Sequence, residues 1–121
     1  MELKDYAKLV QIASQAKQNS YSPYSKFEVG SALLTKDDSV YTGCNIENAS
    51  YGLTVCAERT AIFKAVSDGK REFKAISVSC DAYDFEHAFP CGACLQVMAE
   101  FFNEDTDIVI SINTGEYKAS V

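Results

Sequence analysis

The chain carries at residues 54–61 the stretch TVCAERTA, which sets Cys56 and Glu58 two positions apart where a helical pattern begins. A second motif, PCGAC, sets Cys91 and Cys94 at the opening of another helical pattern. Cys-x-x-Cys at a helix start directs two sulfurs to one point, and soft thiolates suit zinc. With Cys56 as a third ligand, one tetrahedral position stays open for water, as in catalytic rather than structural sites. The two motifs together predict a catalytic zinc site.

Two charged residues are adjacent to this predicted site in the sequence. Glu58 is the only acidic residue between Cys56 and the helix interior, and it is not needed as a ligand. A carboxylate within hydrogen-bond reach can move protons between water, substrate and leaving group, so we assign this acid–base role to Glu58. Three thiolates give a zinc centre net negative charge. We expect Arg59 to donate a hydrogen bond to a ligand sulfur and to offset that charge.

Length and composition indicate one globular domain over residues 1–121. The chain has 121 residues, of which 47% are hydrophobic and two are proline, and domains commonly contain about 100–150 residues. The sequence contains no run of about 18 apolar residues, so we expect no membrane span. The N-terminus lacks the apolar stretch of a signal peptide. Five cysteines without such a signal favour a reducing compartment, and we expect a cytoplasmic protein.

The charge of the chain limits its partners. The net charge is −6, and no cluster of Lys and Arg overrides this average. An acidic surface repels a polyphosphate, so nucleic acid is not expected as a partner. A small, nearly neutral substrate fits better.

Hydrophobic periodicity predicts three helices and five strands in one mixed sheet. The helices are expected at residues 3–18, 55–67 and 92–102, and the strands at 27–34, 40–44, 75–80, 108–112 and 117–121. Helices and strands alternate after an initial hairpin, which predicts helices packed on the faces of the sheet. Both cysteine motifs follow strand ends and open helices, where ligands of open α/β sheets collect.

Four ordered motifs resemble those of the small homotetrameric cytidine deaminases, over about residues 5–112. Two are the cysteine motifs, and the others are FEVGSALL at residues 27–34 and CNIENASY at residues 44–51. Three cysteine ligands, a glutamate that is not a ligand and a Pro-Cys-x-x-Cys half are a known pattern of zinc deaminases. The resemblance implies the α/β class, with a three-layer α/β/α fold around one mixed central sheet.

The resemblance also implies a reaction, the hydrolytic deamination of cytidine and deoxycytidine to uridine and deoxyuridine plus ammonia, as in pyrimidine salvage. It implies one Zn²⁺ per chain held by Cys56, Cys91 and Cys94, with Glu58 as the catalytic residue, in a homotetramer. The residues that it places at the nucleoside are Phe27 on the pyrimidine, Asn45 and Glu47 on the ribose hydroxyls, Tyr51 near the ligand and the subunit interface, and Ala57.

The chain departs from the family pattern at two places. The family usually has Arg after the second cysteine of Cys-x-x-Cys, where this chain has Leu95, so one of two charge-compensating arginines is missing. This puts the acidity of the zinc site in question, though not metal binding. Family members also usually continue to a Leu-Leu-Pro segment and a Phe that completes a neighbouring pocket, whereas this chain stops at Val121. The sequence leaves open whether that tail is absent or was removed.

Three other functions stay open at this point. The first is a deaminase for another aminopyrimidine nucleoside, such as a nucleoside antibiotic. The second is a zinc-stabilised nucleoside-binding protein with weakened turnover, because of Leu95 and the missing tail. The third is a dithiol redox protein, against which Cys56 and Glu58 argue.

Several residues also allow a purely structural interpretation. Phe27 could be an ordinary core residue. Asn45 and Glu47 could cap a turn, although we favour ligand contact because they lie in the loop that leads to the catalytic helix. Free cysteines in apolar strands are usually inert core residues, which is the expectation for Cys44 and Cys80.

Overall fold

The computed structural model describes residues 6–85, 88 and 92–120. Its helices are α1 (Ala7–Ala16), α2 (Ala57–Ser67) and α3 (Gly92–Phe101), and its strands are β1 (Val29–Thr35), β2 (Val40–Cys44), β3 (Phe73–Cys80), β4 (Asp107–Ser111) and β5 (Tyr117–Ser120). Single 3₁₀ turns lie at Lys17–Asn19 and Tyr51–Leu53. None of the helices in the described ranges is long and apolar enough to cross a membrane.

The five strands form one mixed sheet in the order β2-β1-β3-β4-β5. Strand β1 is antiparallel to β2 and to β3, β3 is parallel to β4, and β5 is antiparallel to β4. The parallel pair needs a crossover connection, which α3 supplies between β3 and β4. The mixed sheet predicted from the sequence is therefore confirmed.

The two faces of the sheet carry different helices, because successive side chains of a strand point to opposite faces. Ala32 of β1 packs in a cluster with α1, whereas its neighbour Leu33 packs with α2 and α3. The central strand β3 is buried along almost its whole length, as expected for a strand covered on both faces. The result is the predicted three-layer arrangement, with α1 on one face and α2 and α3 on the other.

Two glycines let the helices approach the sheet closely. A Cβ at Gly30 would lie 2.1 Å from the carbonyl oxygen of Ala13 in α1. A Cβ at Gly43 would lie 2.4 Å from the carbonyl oxygen of Ala57 and 2.6 Å from the backbone nitrogen of Ala61. Gly43 therefore fixes how near the first turn of α2, with its functional side chains, lies to the sheet.

We expect Gly43→Ala to destabilise the protein by about 1–3 kcal/mol or more, because α2 must move away from the sheet to admit the methyl group. Urea unfolding followed by circular dichroism measures this change in free energy. Gly52→Ala is the matched control, since a Cβ at Gly52 meets nothing within 4 Å. Equal stability of the two variants would contradict the close-packing argument.

Several predicted boundaries were wrong by two residues. Strand β3 begins at Phe73 rather than residue 75, and α1 ends at Ala16 rather than residue 18. Two further shifts, at the starts of α2 and β1, have local reasons. The predicted helix 55–67 begins at Ala57, because Val55 forms an isolated bridge with Ile46 and Cys56 has extended backbone angles, φ −73° and ψ 157°. Strand β1 begins at Val29 rather than residue 27, because the preceding Lys26 has a positive φ of 61° and turns the chain. Both shifts occur next to the functional residues.

Candidate active site

A cavity of about 470 Å³ opens between the start of α2, the end of β3 and two loops. The residues predicted from the cysteine and glutamate motif, Cys56, Ala57 and Glu58, form part of its wall. The predicted nucleoside contacts Phe27, Asn45, Glu47 and Tyr51 also line it. The structure thus brings together residues that are up to 31 positions apart in the chain, from Phe27 to Glu58.

The first turn of α2 presents the thiol and the carboxylate to this cavity. Cys56 is the N-cap, and its carbonyl accepts hydrogen bonds from Thr60 N at 3.1 Å and from Thr60 Oγ1 at 3.2 Å. Thr60 Oγ1 also lies 3.2 Å from the carbonyl oxygen of Cys44, which ties the helix start to the end of β2. The positive end of the helix dipole favours a thiolate at Cys56.

Glu58 is a carboxylate of the cavity wall and is almost fully buried, with 4% of its surface exposed. The pKa of its carboxyl is raised to about 7, mainly by burial and in smaller part by the negative charge of Cys56. A backbone hydrogen bond, the thiol of Cys94 and the charge of Arg59 oppose this rise. A carboxyl with a pKa near neutrality can both accept and release a proton at physiological pH.

Arg59 contacts the sulfurs of Cys56 and Cys94. Its Nη2 donates to Cys56 Sγ at 3.6 Å and to the carbonyl oxygen of Thr54 at 3.2 Å. Hydrogen bonding to Cys56, and less strongly to Cys94, raises the pKa of the guanidinium. The buried Nε of Arg59 has no acceptor among the described residues, so the guanidinium retains one unused hydrogen-bond donor. One guanidinium therefore contacts the sulfurs of both Cys56 and Cys94.

The thiols of Cys56 and Cys94 thus come together at Glu58 and Arg59. Cys94 is fully buried in the first turn of α3. Cys91, the third predicted ligand, lies outside the described residues. So does His87, the one histidine of the sequence, whose position in the loop before Pro90 favours a surface residue over a gate near the cavity. Within the described ranges, no group of three His, Cys, Asp or Glu side chains is close enough to hold a metal ion. The donor chemistry of the two described thiols, with a guanidinium to offset charge, fits zinc.

The side-chain amide of Asn45 makes most of its hydrogen bonds to groups of its own chain. Its Nδ2 donates to the carbonyl oxygen of Phe27 at 2.8 Å, and its Oδ1 accepts from Val29 N at 3.0 Å and from Ser20 Oγ. The side chain is 8% exposed. Asn45 therefore does make the structural contacts considered as an alternative, and a second Nδ2 hydrogen remains for a ligand.

Glu47 binds the turn that precedes Phe27. Its Oε1 accepts from Tyr24 N at 3.0 Å and from Ser25 N at 3.1 Å, and its Oε2 accepts from Ser25 Oγ. The Ser25 hydroxyl is the largest cause of a lowered pKa at this carboxyl. Glu47 is therefore ionised at neutral pH and acts as an acceptor only.

The two aromatic residues predicted at the nucleoside have different environments. Phe27 is half-buried and packs against the cluster of Cys80, Ala82, Ala88, Ile110 and Ile112, so it is both a core and a cavity residue. Tyr51 is 88% exposed at the edge of the cavity. Only Phe27 is held by packing within this chain.

Sequence reasoning missed some of the cavity wall. Cys80, expected to be an inert core residue, is buried but lines the cavity together with Val78. Burial raises the pKa of the Cys80 thiol, which stays neutral. Ser25 also lines the cavity, although no motif in its loop predicted a functional residue there. The alternation along β3 could have located Val78 and Cys80 on one face, but not the cavity that this face meets.

Leu95 lies on α3 one residue after Cys94, and 49% of its surface is exposed. The described residues around Leu95 therefore do not enclose it. Arg59 supplies a cation at the sulfurs of Cys56 and Cys94.

Comparison with known proteins supports the same reading. The family model for the cytidine and deoxycytidylate deaminase zinc-binding region matches residues 3–111. A cytidine deaminase of Sporosarcina psychrophila is 50% identical over 112 residues, covering 93% of this chain and 81% of the relative. One of Halalkalibacterium halodurans is 53% identical over 112 residues, covering 93% and 83%. The crystal structure of cytidine deaminase from Burkholderia pseudomallei matches with a TM-score of 0.88 and 42% identity, over 99% of this chain and 92% of that chain.

Proposed function

The chain belongs to the family of the cytidine and deoxycytidylate deaminase zinc-binding region, and from this premise we propose that it hydrolyses cytidine and deoxycytidine. The products are uridine or deoxyuridine and ammonia, as expected for pyrimidine salvage. The observation that carries the proposal is the buried Glu58 carboxyl beside Cys56 and Cys94 in the wall of the cavity. This placement combines an acid–base group with two thiol ligands at one point.

Glu58 performs the proton transfers in this proposal. Replacing the amine of a pyrimidine by oxygen moves both protons of a water molecule, one to ring nitrogen N3 and one to the departing amine. A carboxyl with a pKa of about 7 can take the first proton from water and release it to N3, and can then take the second from the hydroxyl added to the ring and release it to the departing amine. Burial excludes bulk water from this carboxyl, so the proton is passed to the substrate rather than to solvent.

We propose one Zn²⁺ per chain, held by Cys56 and Cys94, with Cys91 as third ligand. Zinc when bound supplies a Lewis acid that activates water at neutral pH. Arg59 offsets thiolate charge through its contact with Cys56 Sγ.

We also propose a cytoplasmic location. No disulfide joins the described cysteines, and thiol ligands persist in a reducing compartment. Cell fractionation tests the location, and recovery of the protein only outside the cytoplasm would contradict it.

The remaining cavity residues are proposed to hold the nucleoside. Phe27 contacts the pyrimidine ring, and Ala57 lies beside Glu58 where the ring would sit. Asn45 donates to a ribose hydroxyl through the Nδ2 hydrogen that does not bond to Phe27. Glu47 accepts from a ribose hydroxyl at the carboxylate position that its hydrogen bonds to the turn leave unoccupied. No Lys or Arg occurs among the described residues of the wall, which fits a neutral nucleoside and not a nucleic acid.

We propose a homotetramer, with the edge of the cavity near a subunit interface. Tyr51 and Leu53, in one 3₁₀ turn, are 88% and 66% exposed, and large apolar side chains exposed together mark contact surfaces. Four copies commonly adopt D₂ symmetry. Light scattering coupled to size exclusion is expected to give four times the mass of the chain. A monomer with full deaminase activity would contradict the proposal.

A direct assay tests the reaction. The purified chain, with its zinc content measured, is expected to convert cytidine and deoxycytidine to uridine and deoxyuridine with one ammonia per product. Ultraviolet absorbance follows the loss of the cytosine chromophore, and chromatography identifies the product. Binding of cytidine without turnover would indicate a nucleoside-binding protein instead. Turnover of other aminopyrimidine nucleosides alone would move the substrate away from cytidine.

A further inference from the structure

The turn before Phe27 is fixed by one side chain of its own, Ser25. Its Oγ donates to Glu47 Oε2 and accepts from Phe27 N at 3.0 Å. Its own backbone N–H donates to Glu47 Oε1 at 3.1 Å. Ser25 also lines the cavity. One hydroxyl thus connects the carboxylate proposed for the sugar to the backbone of the aromatic residue proposed for the base.

The conformation of this turn requires such support. Lys26, between Ser25 and Phe27, has a φ of 61°, which an L-residue with a Cβ rarely adopts. Such a conformation persists only where surrounding contacts over-determine it. Here the contacts are the three hydrogen bonds to Glu47, the bond from Phe27 N to Ser25 Oγ, and Lys26 N to the carbonyl oxygen of Ser22 at 3.0 Å.

The hydrogen bonds that the two oxygens of Glu47 accept show which oxygen the Ser25 hydroxyl orients. A carboxylate has about four acceptor positions. Two N–H groups, from Tyr24 and Ser25, lie on Oε1, whereas Ser25 Oγ is the contact on Oε2. The acceptor position that remains is therefore on Oε2, the oxygen that the Ser25 hydroxyl holds. That hydroxyl sets the direction in which the remaining position points.

We propose that Ser25 is a positioning residue for the nucleoside, which aligns the free acceptor of Glu47 with a sugar hydroxyl while it holds Phe27 against the base. The inference rests on the proposed function. It assigns Ser25 no contact with the reacting atoms. Ser25 acts through Glu47 and Phe27, so its removal affects substrate binding more than the chemical step.

The test compares Ser25→Ala with the wild-type enzyme on two substrates, cytidine and 2′,3′-dideoxycytidine, which lacks both ribose hydroxyls. We expect Ser25→Ala to raise KM for cytidine about tenfold, the scale of one hydrogen bond to a charged group, with kcat changed much less. For 2′,3′-dideoxycytidine we expect a smaller rise, because only the support of Phe27 is lost. Ser25→Thr keeps a hydroxyl and is expected to restore most of the affinity for cytidine.

Ser22→Ala is the matched control in the same turn. The hydroxyl of Ser22 lies 3.2 Å from Ser20 Oγ and is outside the cavity wall. Its removal should leave both KM values unchanged. Ser25→Cys, of nearly the same size as serine but a weak hydrogen-bond partner, provides a second variant and is expected to behave as Ser25→Ala.

A double-mutant cycle isolates the route through Glu47. In a Glu47→Gln background, Ser25→Ala should no longer change the ratio of KM for cytidine to KM for 2′,3′-dideoxycytidine. Equal effects of Ser25→Ala on KM for both substrates would overturn the positioning role, and so would an effect that adds fully to that of Glu47→Gln. In either case, turnover of cytidine by the wild-type enzyme would leave the proposed function intact. A zinc-loaded wild-type chain that turns over neither substrate would overturn the proposed function and this inference together.

Discussion

Glu58→Gln is expected to lower kcat for cytidine by roughly 10²–10⁴-fold or more, while the protein still folds, holds zinc and binds cytidine. Glutamine has nearly the same shape, so the buried site keeps its packing, but an amide cannot accept and release the proton. The buried Glu58 carboxyl has a pKa of about 7 and is partly neutral at physiological pH, so a neutral amide is compatible with the site. Steady-state kinetics, zinc analysis and calorimetric titration with cytidine measure the three properties.

The control for this variant is Glu100→Gln, which changes an exposed glutamate of α3 outside the cavity wall. Its kcat should equal that of the wild-type enzyme. Near-normal turnover in Glu58→Gln with zinc present would mean that another group moves the proton. A loss of zinc together with turnover would instead place Glu58 among the ligands.

Cys94→Ser is expected to reduce zinc from about one ion per chain to nearly none and to destabilise the fold. Ligand binding is coupled to folding, so the binding free energy of the metal is lost from the folded state. Cys94 is fully buried in the first turn of α3, and its thiol contacts both Glu58 and Arg59. Elemental analysis gives the zinc content, and thermal unfolding gives the stability.

Cys44→Ser is the matched control, because Cys44 is a free cysteine at the end of β2 outside the cavity wall. It should retain zinc. A chelator should lower the unfolding temperature of the wild-type and Cys44→Ser proteins but have little effect on Cys94→Ser. Full zinc occupancy in Cys94→Ser would refute the ligand assignment.

Much of this architecture follows from local pattern. The apolar residues 75–80 predicted strand β3, and the pattern around Cys56 and Glu58 predicted a helix start there, two residues before the observed one. The order of helices and strands predicted the mixed sheet, because a parallel pair needs a crossover helix. These features depend on residues close together in the chain, where periodicity and capping preferences are informative.

The features that sequence reasoning missed depend on contacts between distant segments. The residues around Gly43 in the sequence do not show that a Cβ at this position would meet the carbonyl oxygen of Ala57, since only the packing of α2 on β2 creates that contact. The same holds for Cys80, whose strand pattern fits both a core and a cavity wall. Ser25 and Glu47 are 22 residues apart, and their hydrogen bond exists only because the turn and the loop meet. Register and packing, rather than propensity, decide such positions.

The central claim is that the thiols at the starts of α2 and α3 and the Glu58 carboxyl form one zinc-dependent deamination site. The most direct measurement strips the wild-type chain of metal with a chelator and titrates zinc back while cytidine turnover is followed. Turnover should be absent in the stripped protein, should rise linearly with added zinc, and should level off at one zinc per chain. Full turnover in the stripped protein, or no return of turnover when one zinc per chain has bound, would contradict the account.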